Sequence, residues 1–227
     1  MIKIFIQEFL LKNADFSSFL EIFLSKNNKI SSESESITNL SFDDNFLQGN
    51  YFKKFLQKEP TNNPFIEENY IEFEYFANQH FYLIKNNSRN FLVIINPTKY
   101  TKFFYSYLDE LSGLKLILKD KSININDIID HNFTEGSYQV LRAKFCSVAL
   151  SETSRATIEI SSSSNAINDF INTFGNIYYE IAKAKIVISN EIYKNLDLEI
   201  SKTGLIQISK FNSISLSDIK RIIKILY

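Results

Sequence analysis

The chain has 227 residues, of which 44% are hydrophobic and 15% aromatic, and its formal net charge at pH 7 is −1. Apolar side chains in this amount offset the conformational entropy lost on folding, so the composition excludes a disordered chain. The near-zero net charge excludes a protein-wide field that attracts nucleic acid or anionic lipid, so any such binding depends on a local patch.

Glycine and cysteine are scarce, and their positions exclude several kinds of site. The isolated glycines cannot form a dinucleotide-binding or P-loop motif. Cys146 is the only cysteine, which excludes an intramolecular disulfide and a cysteine-rich metal centre. No apolar run approaches the roughly 18 residues that a membrane span needs. We therefore expect a cytoplasmic protein with no cofactor and no membrane contact. The glycines are Gly49, Gly113, Gly136, Gly175 and Gly204, and the polar surroundings of Gly49 and Gly136 predict turns at these two positions.

A strand and an amphipathic helix are predicted at the start of the chain. Isoleucine recurs at every second position from Ile2 to Ile6, which predicts a strand over residues 1–11. Asp15 is placed to cap a helix whose apolar residues recur at spacings of three and four. Residues 27–44 are polar and rich in serine, which predicts a loop.

A group of strands and a second helix are predicted in the middle of the chain. Pro97 suits the first turn of this helix, and Gly113 suits the left-handed residue that ends it. Alternating leucines at residues 114–118 predict a further strand. The earlier predicted strands span residues 70–76, 80–85 and 91–95, with a hairpin loop at residues 86–89.

The second half of the chain contains two ambiguous segments. Residues 138–150 fit both a helix and a strand, and we favour the helix, whereas residues 176–189 remain ambiguous. Ser215 and Asp218 resemble a capping box at the start of a final helix. The other predicted elements are a short helix at 126–131, a strand at 157–160, a helix at 166–174 and a hairpin of strands 196–201 and 205–209.

This order of elements predicts an α+β protein with a mixed or antiparallel sheet and helices on one face. The first half has the strand, helix, hairpin, helix, strand order of a ferredoxin-like unit, with an insertion after the first helix. The polar stretch at residues 119–136 indicates a boundary between an α+β subdomain at 1–119 and a second α+β subdomain at 120–227. One continuous domain is the alternative.

A cluster of basic residues surrounds the predicted hairpin loop and the start of the second helix. It consists of Lys85, Arg89, Lys99 and Lys102, in the mildly basic stretch of residues 81–145. A helix N-terminus beside such residues binds phosphate, and neighbouring aromatic rings stack on bases. The cluster predicts a phosphate or nucleic-acid site. The alternative is a solvated surface, because lysine is abundant throughout the chain.

A cluster of titratable residues predicts a metal site for phosphodiester hydrolysis. Carboxylates together with a histidine hold Mg²⁺ or Mn²⁺ in such enzymes. The alternative is an exposed connector in which Asp127 stabilises a helix N-terminus. The candidate ligands are Asp120, Asp127, Asp130, His131 and Glu135.

His80 and Cys146 have no neighbour in the sequence that would activate a nucleophile. We predict that His80 is a structural or surface residue and that Cys146 is buried as a small apolar side chain.

Acidic residues are interleaved with aromatic ones in the segment that follows the turn residues Pro60 and Pro64. They form either a docking surface for a basic partner or the solvated face of a strand. The acidic residues are Glu67, Glu68, Glu72 and Glu74.

Taken together, these patterns favour a non-enzymatic protein that acts through protein–protein contacts, either as a subunit of a larger complex or by self-association. The large number of Phe and Tyr residues supports this interpretation, because such side chains anchor interfaces. The alternative is a nucleic-acid-binding or metal-dependent nucleolytic protein. The residue pattern does not decide whether the protein is an enzyme.

Overall fold

A computed structural model describes residues 1–60, 70–120, 122–132, 138–189, 196–209 and 213–227, except for the side chains of residues 131 and 132. Within these residues the chain is an α+β protein with an open antiparallel sheet of eleven strands and five helices. The predicted α+β class is therefore confirmed.

The strands and helices have the following bounds. The strands are β1 (Ile2–Leu11), β2 (Glu35–Asp43), β3 (Phe46–Pro60), β4 (Tyr70–Asn86), β5 (Arg89–Ile95), β6 (Leu116–Leu118), β7 (Tyr138–Ala149), β8 (Arg155–Ser161), β9 (Glu180–Ile188), β10 (Leu196–Ser201) and β11 (Leu205–Ile208). The helices are α1 (Phe16–Ile30), α2 (Thr101–Ser112), α3 (Ile125–Asn132), α4 (Ala166–Phe174) and α5 (Leu216–Leu226).

The strand order is β2-β3-β4-β5-β1-β11-β10-β9-β7-β8, and β6 pairs with β1. The chain divides into two compact units, one formed by Met1–Gln7 with Asp120–Tyr227 and the other by Glu8–Lys119. The predicted subdomain of residues 1–119 includes Met1–Gln7, whereas the structure groups these residues with Asp120–Tyr227. Whether either part folds independently stays a prediction.

The unit Glu8–Lys119 has an aromatic core between its helices and strands. Asp15 caps α1, because its Oδ1 atom accepts a hydrogen bond from the Ser18 amide at 2.7 Å. Phe104 on α2 contacts Phe81 on β4, with ring centroids 4.6 Å apart, and also Tyr51 on β3 at 5.4 Å. These contacts hold α2 against the middle of the β3–β4 pair.

The unit that contains Asp120–Tyr227 has a second core. Phe145 on β7 stacks on Phe170 of α4 with ring centroids 4.1 Å apart, and the Tyr179 ring packs edge-on against both rings. Ser215 and Asp218 form the expected capping box of α5. The apolar face of α5 is buried, which gives this short helix a tertiary reason to form.

The loop predicted at residues 27–44 is wrong. α1 continues to Ile30, and β2 occupies Glu35–Asp43 as a strand at the edge of the sheet. Antiparallel pairing with β3, from Glu35 opposite Lys53 to Asp43 opposite Phe46, supplies the backbone hydrogen bonds that the polar sequence does not reveal.

The helix predicted at residues 138–150 is also wrong, because this segment is strand β7. Its buried residues Val140, Ala143, Phe145 and Val148 follow spacings of three, two and three rather than strict alternation. The pairing register of β7 shifts between Val140 and Arg142 and between Phe145 and Val148, and at both places the buried side moves by one residue. This irregular spacing resembles a helical period in the sequence.

Two further predictions need correction. Pro97 does not lie in the first turn of α2, since that helix begins at Thr101, whose Oγ1 donates a hydrogen bond to Gln79 Oε1 at 2.9 Å. Gly49 lies inside strand β3 and is buried, whereas its polar surroundings had suggested a turn. Gly136 lies outside the described residues.

Candidate interaction surface

The structure separates the predicted basic cluster into two pairs. Lys85 and Arg89 lie at the turn between β4 and β5, where Asn86 is opposite Arg89. Both side chains are exposed. Hydrogen bonds from Ser18 lower the pKa of the Asp15 carboxyl, and the Lys85 ammonium lowers it further.

Lys99 and Lys102 lie at the other end of β5. Arg89 and Ile95 are the two ends of strand β5, so they lie roughly 20 Å apart at about 3.3 Å per residue step. Lys99 occupies the turn before α2, and Lys102 is in its first turn. The four basic residues therefore do not form one patch, and their role in phosphate or nucleic-acid binding stays a prediction.

Lys99 and Lys102 border a cluster of four half-buried rings, here called the aromatic cluster. The Phe55 ring is at its centre, with centroid distances of 5.4 Å to Tyr75, 5.0 Å to Tyr100 and 5.2 Å to Phe103. The aromatic cluster consists of Phe55, Tyr75, Tyr100 and Phe103. It joins the β3–β4 pair to the beginning of α2.

Lysine side chains lie over two rings of the aromatic cluster. Lys99 Nζ is 5.0 Å from the Tyr100 centroid, and Lys102 Nζ is 5.0 Å from the Phe103 centroid. The Tyr75 and Tyr100 hydroxyls share a hydrogen bond of 2.9 Å. This bond raises the pKa of Tyr75 and lowers the pKa of Tyr100, whose pKa the Lys99 ammonium lowers as well. The cluster thus presents rings and cations side by side.

Beyond the aromatic cluster, β3 and β4 continue as a two-stranded extension, here called the arm. The arm comprises residues 54–60 and 70–76, which are paired from Lys54 opposite Phe76 to Pro60 opposite Tyr70. The last contact with the segment leading to β2 is the hydrogen bond from the Lys54 amide to the Ser34 carbonyl, at 2.7 Å. Among the described residues, the arm has no third strand.

The arm exposes large apolar side chains on both faces. Leu56 and Phe76 are 57% and 56% exposed on one face, while Ile71 and Phe73 are 50% and 40% exposed on the other. Ion pairs from Lys54 to Glu74 and from Lys58 to Glu72 lie on the same face as Leu56. Two-stranded pairs are marginally stable in water without a further packing surface, so the aromatic cluster is the main support of the arm within the described residues.

The acidic docking surface that we predicted from the sequence lies partly on the arm. Glu72 and Glu74 are on β4 and take part in the two ion pairs, whereas Glu67 and Glu68 lie outside the described residues. The sequence pattern did not indicate β3, so the length of the arm was missed. The alternation of apolar and acidic residues from Tyr70 to Phe76 was the only signal of it.

Two of the predicted metal ligands line a cavity of about 840 Å³ in the unit that contains α3. Asp127 and Asp130 project from α3, and Glu180 and Lys202 lie on other parts of the cavity wall. Asp120 is exposed and does not line this cavity. The structure thus brings together two of the five candidates. Glu135 and the side chain of His131 lie outside the described residues.

Hydrogen bonds and an ion pair occupy several polar groups of this cavity. The Tyr178 hydroxyl donates to Glu180 Oε1 at 2.9 Å, and the Asn126 Oδ1 atom accepts the Ile181 amide at 3.3 Å. Lys202 Nζ is 3.7 Å from Glu180 Oε2. Across the described ranges, no group of three or more His, Cys, Asp and Glu side chains is arranged to hold a metal ion. The metal site therefore stays a prediction.

His80 and Cys146 occupy strand positions. His80 is half-buried on β4, and its Nδ1 atom is 2.7 Å from Asn50 Oδ1 on β3. Burial lowers the pKa of His80. Cys146 is half-buried rather than buried, and its thiol lies 3.9 Å from Glu180 Oε2.

No protein-family model matches the sequence, and no curated protein matches it. In the part of the chain that the structure covers, no helix combines the length and apolar character required to cross a lipid bilayer. The cytoplasmic localisation that we expect stays a prediction.

Proposed function

We propose that this protein is a non-enzymatic interaction protein, a subunit of a larger complex, which binds its protein partner through the arm. The observation that carries the proposal is a two-stranded extension with large apolar side chains exposed on both faces. Several large apolar side chains exposed near one another are typical of an interaction site. Cover from a partner would supply the packing that the extension lacks on its own.

The support of the arm favours a binding role over an accidental extension. Phe55 and Tyr75 are directly opposite each other on β3 and β4, and both pack on residues at the start of α2. The ion pairs across the arm hold its register. The exposed apolar residues are consequently presented on an ordered strand pair, which lowers the entropic cost of binding.

Photo-crosslinking tests this function. A photoreactive phenylalanine analogue replaces Phe76 on the arm and, in a matched control, Glu152 in an exposed loop of the other unit. We expect one predominant adduct from Phe76 and none from Glu152, in cells that carry the protein. In size-exclusion chromatography the same partner should co-elute with the unaltered protein in a fixed ratio. The double variant Leu56→Ser with Phe76→Ser should abolish this co-elution. A monomeric elution profile with no arm adduct would contradict the proposal.

A second candidate function is binding of single-stranded nucleic acid at the aromatic cluster. It is favoured by Lys99 and Lys102, whose ammonium groups lie over two half-buried rings of the cluster. Aromatic stacking next to cations is the usual basis of sequence-independent binding to single strands. If this function holds, Lys99→Ala with Lys102→Ala weakens binding of an oligonucleotide in low salt, and Lys85→Ala with Arg89→Ala does not.

We also propose that the first half of the chain is a ferredoxin-like unit in which β2 and β3 are the insertion, with its helices on one sheet face. The pairing of β6 with β1 and the order β4-β5-β1 support this assignment. The arm is then an elongation of the insertion. A variant in which a short turn replaces residues 55–75 should keep the fold of this unit, as measured by circular dichroism.

A further inference from the structure

The β4 strand of the arm has an open backbone edge. β4 pairs with β5 only from His80, which is opposite Ile95, so residues 70–79 pair with β3 alone among the described residues. A row of N–H and C=O groups along this side is a template for another strand.

The two edges of the arm differ in the residues that usually block strand addition. Lysine and proline on an edge strand discourage pairing, and β3 carries Lys54, Lys58 and Pro60 on its part of the arm. The β4 part contains neither lysine nor proline. The open edge of β4 is also longer than that of β3, because the segment just before β2 hydrogen-bonds to β3 as far along the arm as Lys54. The β4 edge is therefore the accessible one.

We propose that an extended segment of the partner, with cationic side chains at alternate positions, adds to the sheet along residues 71–77 of β4. This inference rests on the proposed function of the arm. Glu72 and Glu74 lie on one face of the edge strand, directly beside the position of an added strand. Cationic residues of the partner on that face would extend the charge pairs that Lys54 and Lys58 already make.

The protein uses the same arrangement in its own sheet. On β9 and β10, Lys183 Nζ is 2.6 Å from Glu199 Oε1, and Lys185 Nζ is 3.5 Å from Asp197 Oδ2. A strand with alternate lysines thus lies next to a strand with alternate carboxylates on the same sheet face.

A second copy of the chain is a poorer occupant of this edge. Two antiparallel copies of β4 centred on Phe73 would place Glu72 of one copy opposite Glu74 of the other. Centring on Glu72 or Glu74 places that residue opposite itself. Centring on Tyr75 places Glu72 opposite Asn78 and Glu74 opposite Phe76, so that no cation faces either carboxylate. Like charges directly opposite each other destabilise a strand pair, so charge complementarity favours a cationic partner strand.

The experiment uses the full chain and a labelled synthetic peptide that alternates lysine with valine. Fluorescence anisotropy measures its binding, and hydrogen exchange with mass spectrometry follows the amides of residues 71–77. We expect a larger slowing of exchange in these residues than in residues 55–60, whose amides gain no new hydrogen-bond partner. A peptide with glutamate in place of lysine, and a lysine peptide with methylated backbone nitrogens, should each bind at least about tenfold more weakly.

Two protein variants complete the test. Glu72→Gln with Glu74→Gln should weaken binding of the lysine peptide about tenfold, the factor expected when two exposed ion pairs are lost. The matched control Glu152→Gln, in an exposed loop, should change binding less than about twofold. The peptide comparison on the unaltered protein remains decisive if the double variant perturbs the arm.

Several results would overturn strand addition. They are absence of binding, equal binding of the glutamate or methylated peptide, binding without protection of residues 71–77, and dimerisation of the chain through this edge. If Phe76 still crosslinks to a partner in any of these cases, the arm binds through its side chains and the proposed function stands. Absence of that crosslink would instead remove the proposed function itself.

Discussion

Phe55→Ala should loosen the arm without unfolding the rest of the protein. Phe55 is the ring that contacts all three other members of the aromatic cluster, at centroid distances of 5.0 to 5.4 Å. Truncation of a fully buried Phe to Ala costs about 3–5 kcal/mol, and half of that range, about 2 kcal/mol, applies to a half-buried ring. The arm would then open about 30-fold more often.

Native-state hydrogen exchange measures this opening. We expect the amides of residues 55–60 and 70–75 to exchange about 30-fold faster in Phe55→Ala, while amides in the other unit keep their rates. Leu56→Ala is the matched control, because Leu56 is 57% exposed on the opposite face of the same strand. Unchanged arm exchange in Phe55→Ala, or the same acceleration in Leu56→Ala, would refute the claim that the aromatic cluster supports the arm.

Three other predictions concern stability. Gly49→Ala should lower the free energy of unfolding, measured by urea denaturation, by about 1–2 kcal/mol. The reason is that a Cβ atom there would lie 2.9 Å from Ile37 Cγ2 and 3.2 Å from Phe81 Cε1. An unchanged free energy of unfolding would mean that these side chains move aside freely. Ser215→Ala should lower the free energy of unfolding by about 1 kcal/mol, measured as a lower melting temperature, through loss of the α5 cap. Ser215→Thr should keep the stability, because its hydroxyl can make the same hydrogen bonds to Asp218. Burial lowers the pKa of His80, so the contribution of this residue to stability is present above the unfolded pKa of about 6.5 and declines as the pH falls through the folded pKa. The melting temperatures of the unaltered protein and of His80→Gln should therefore approach each other as the pH is lowered. Parallel curves of melting temperature against pH would exclude this effect.

Local elements of the fold were largely predictable, because short-range physical chemistry defines them. The caps at Asp15 and Ser215 and the left-handed Gly113 after α2 follow from hydrogen-bonding side chains and backbone freedom at those positions. The β7 strand was not predictable, since the shifts in its pairing register hide the alternation of its buried residues.

The candidate site was predictable only in fragments. The acidic and aromatic alternation near Glu72 and Glu74 indicated a docking surface, but its partner strand β3 was missed. Gly49, Lys53 and Lys54 interrupt any apolar pattern along that strand, and the pairing with β4 compensates for them. A strand that is stabilised mainly by pairing with its neighbour shows only a weak strand pattern in its own sequence.

The sequence by itself determined the α+β class, the absence of glycine-rich phosphate loops, and the positions at which most helices begin and end. Only the tertiary structure decided which strands lie at edges, that β3 and β4 continue together as the arm, and that Lys85 and Arg89 lie far from Lys99 and Lys102. The physical reason is the range of the interactions. Caps and turns depend on residues a few positions apart, whereas strand pairing joins segments that are distant in the chain and is set by burial and register across the sheet.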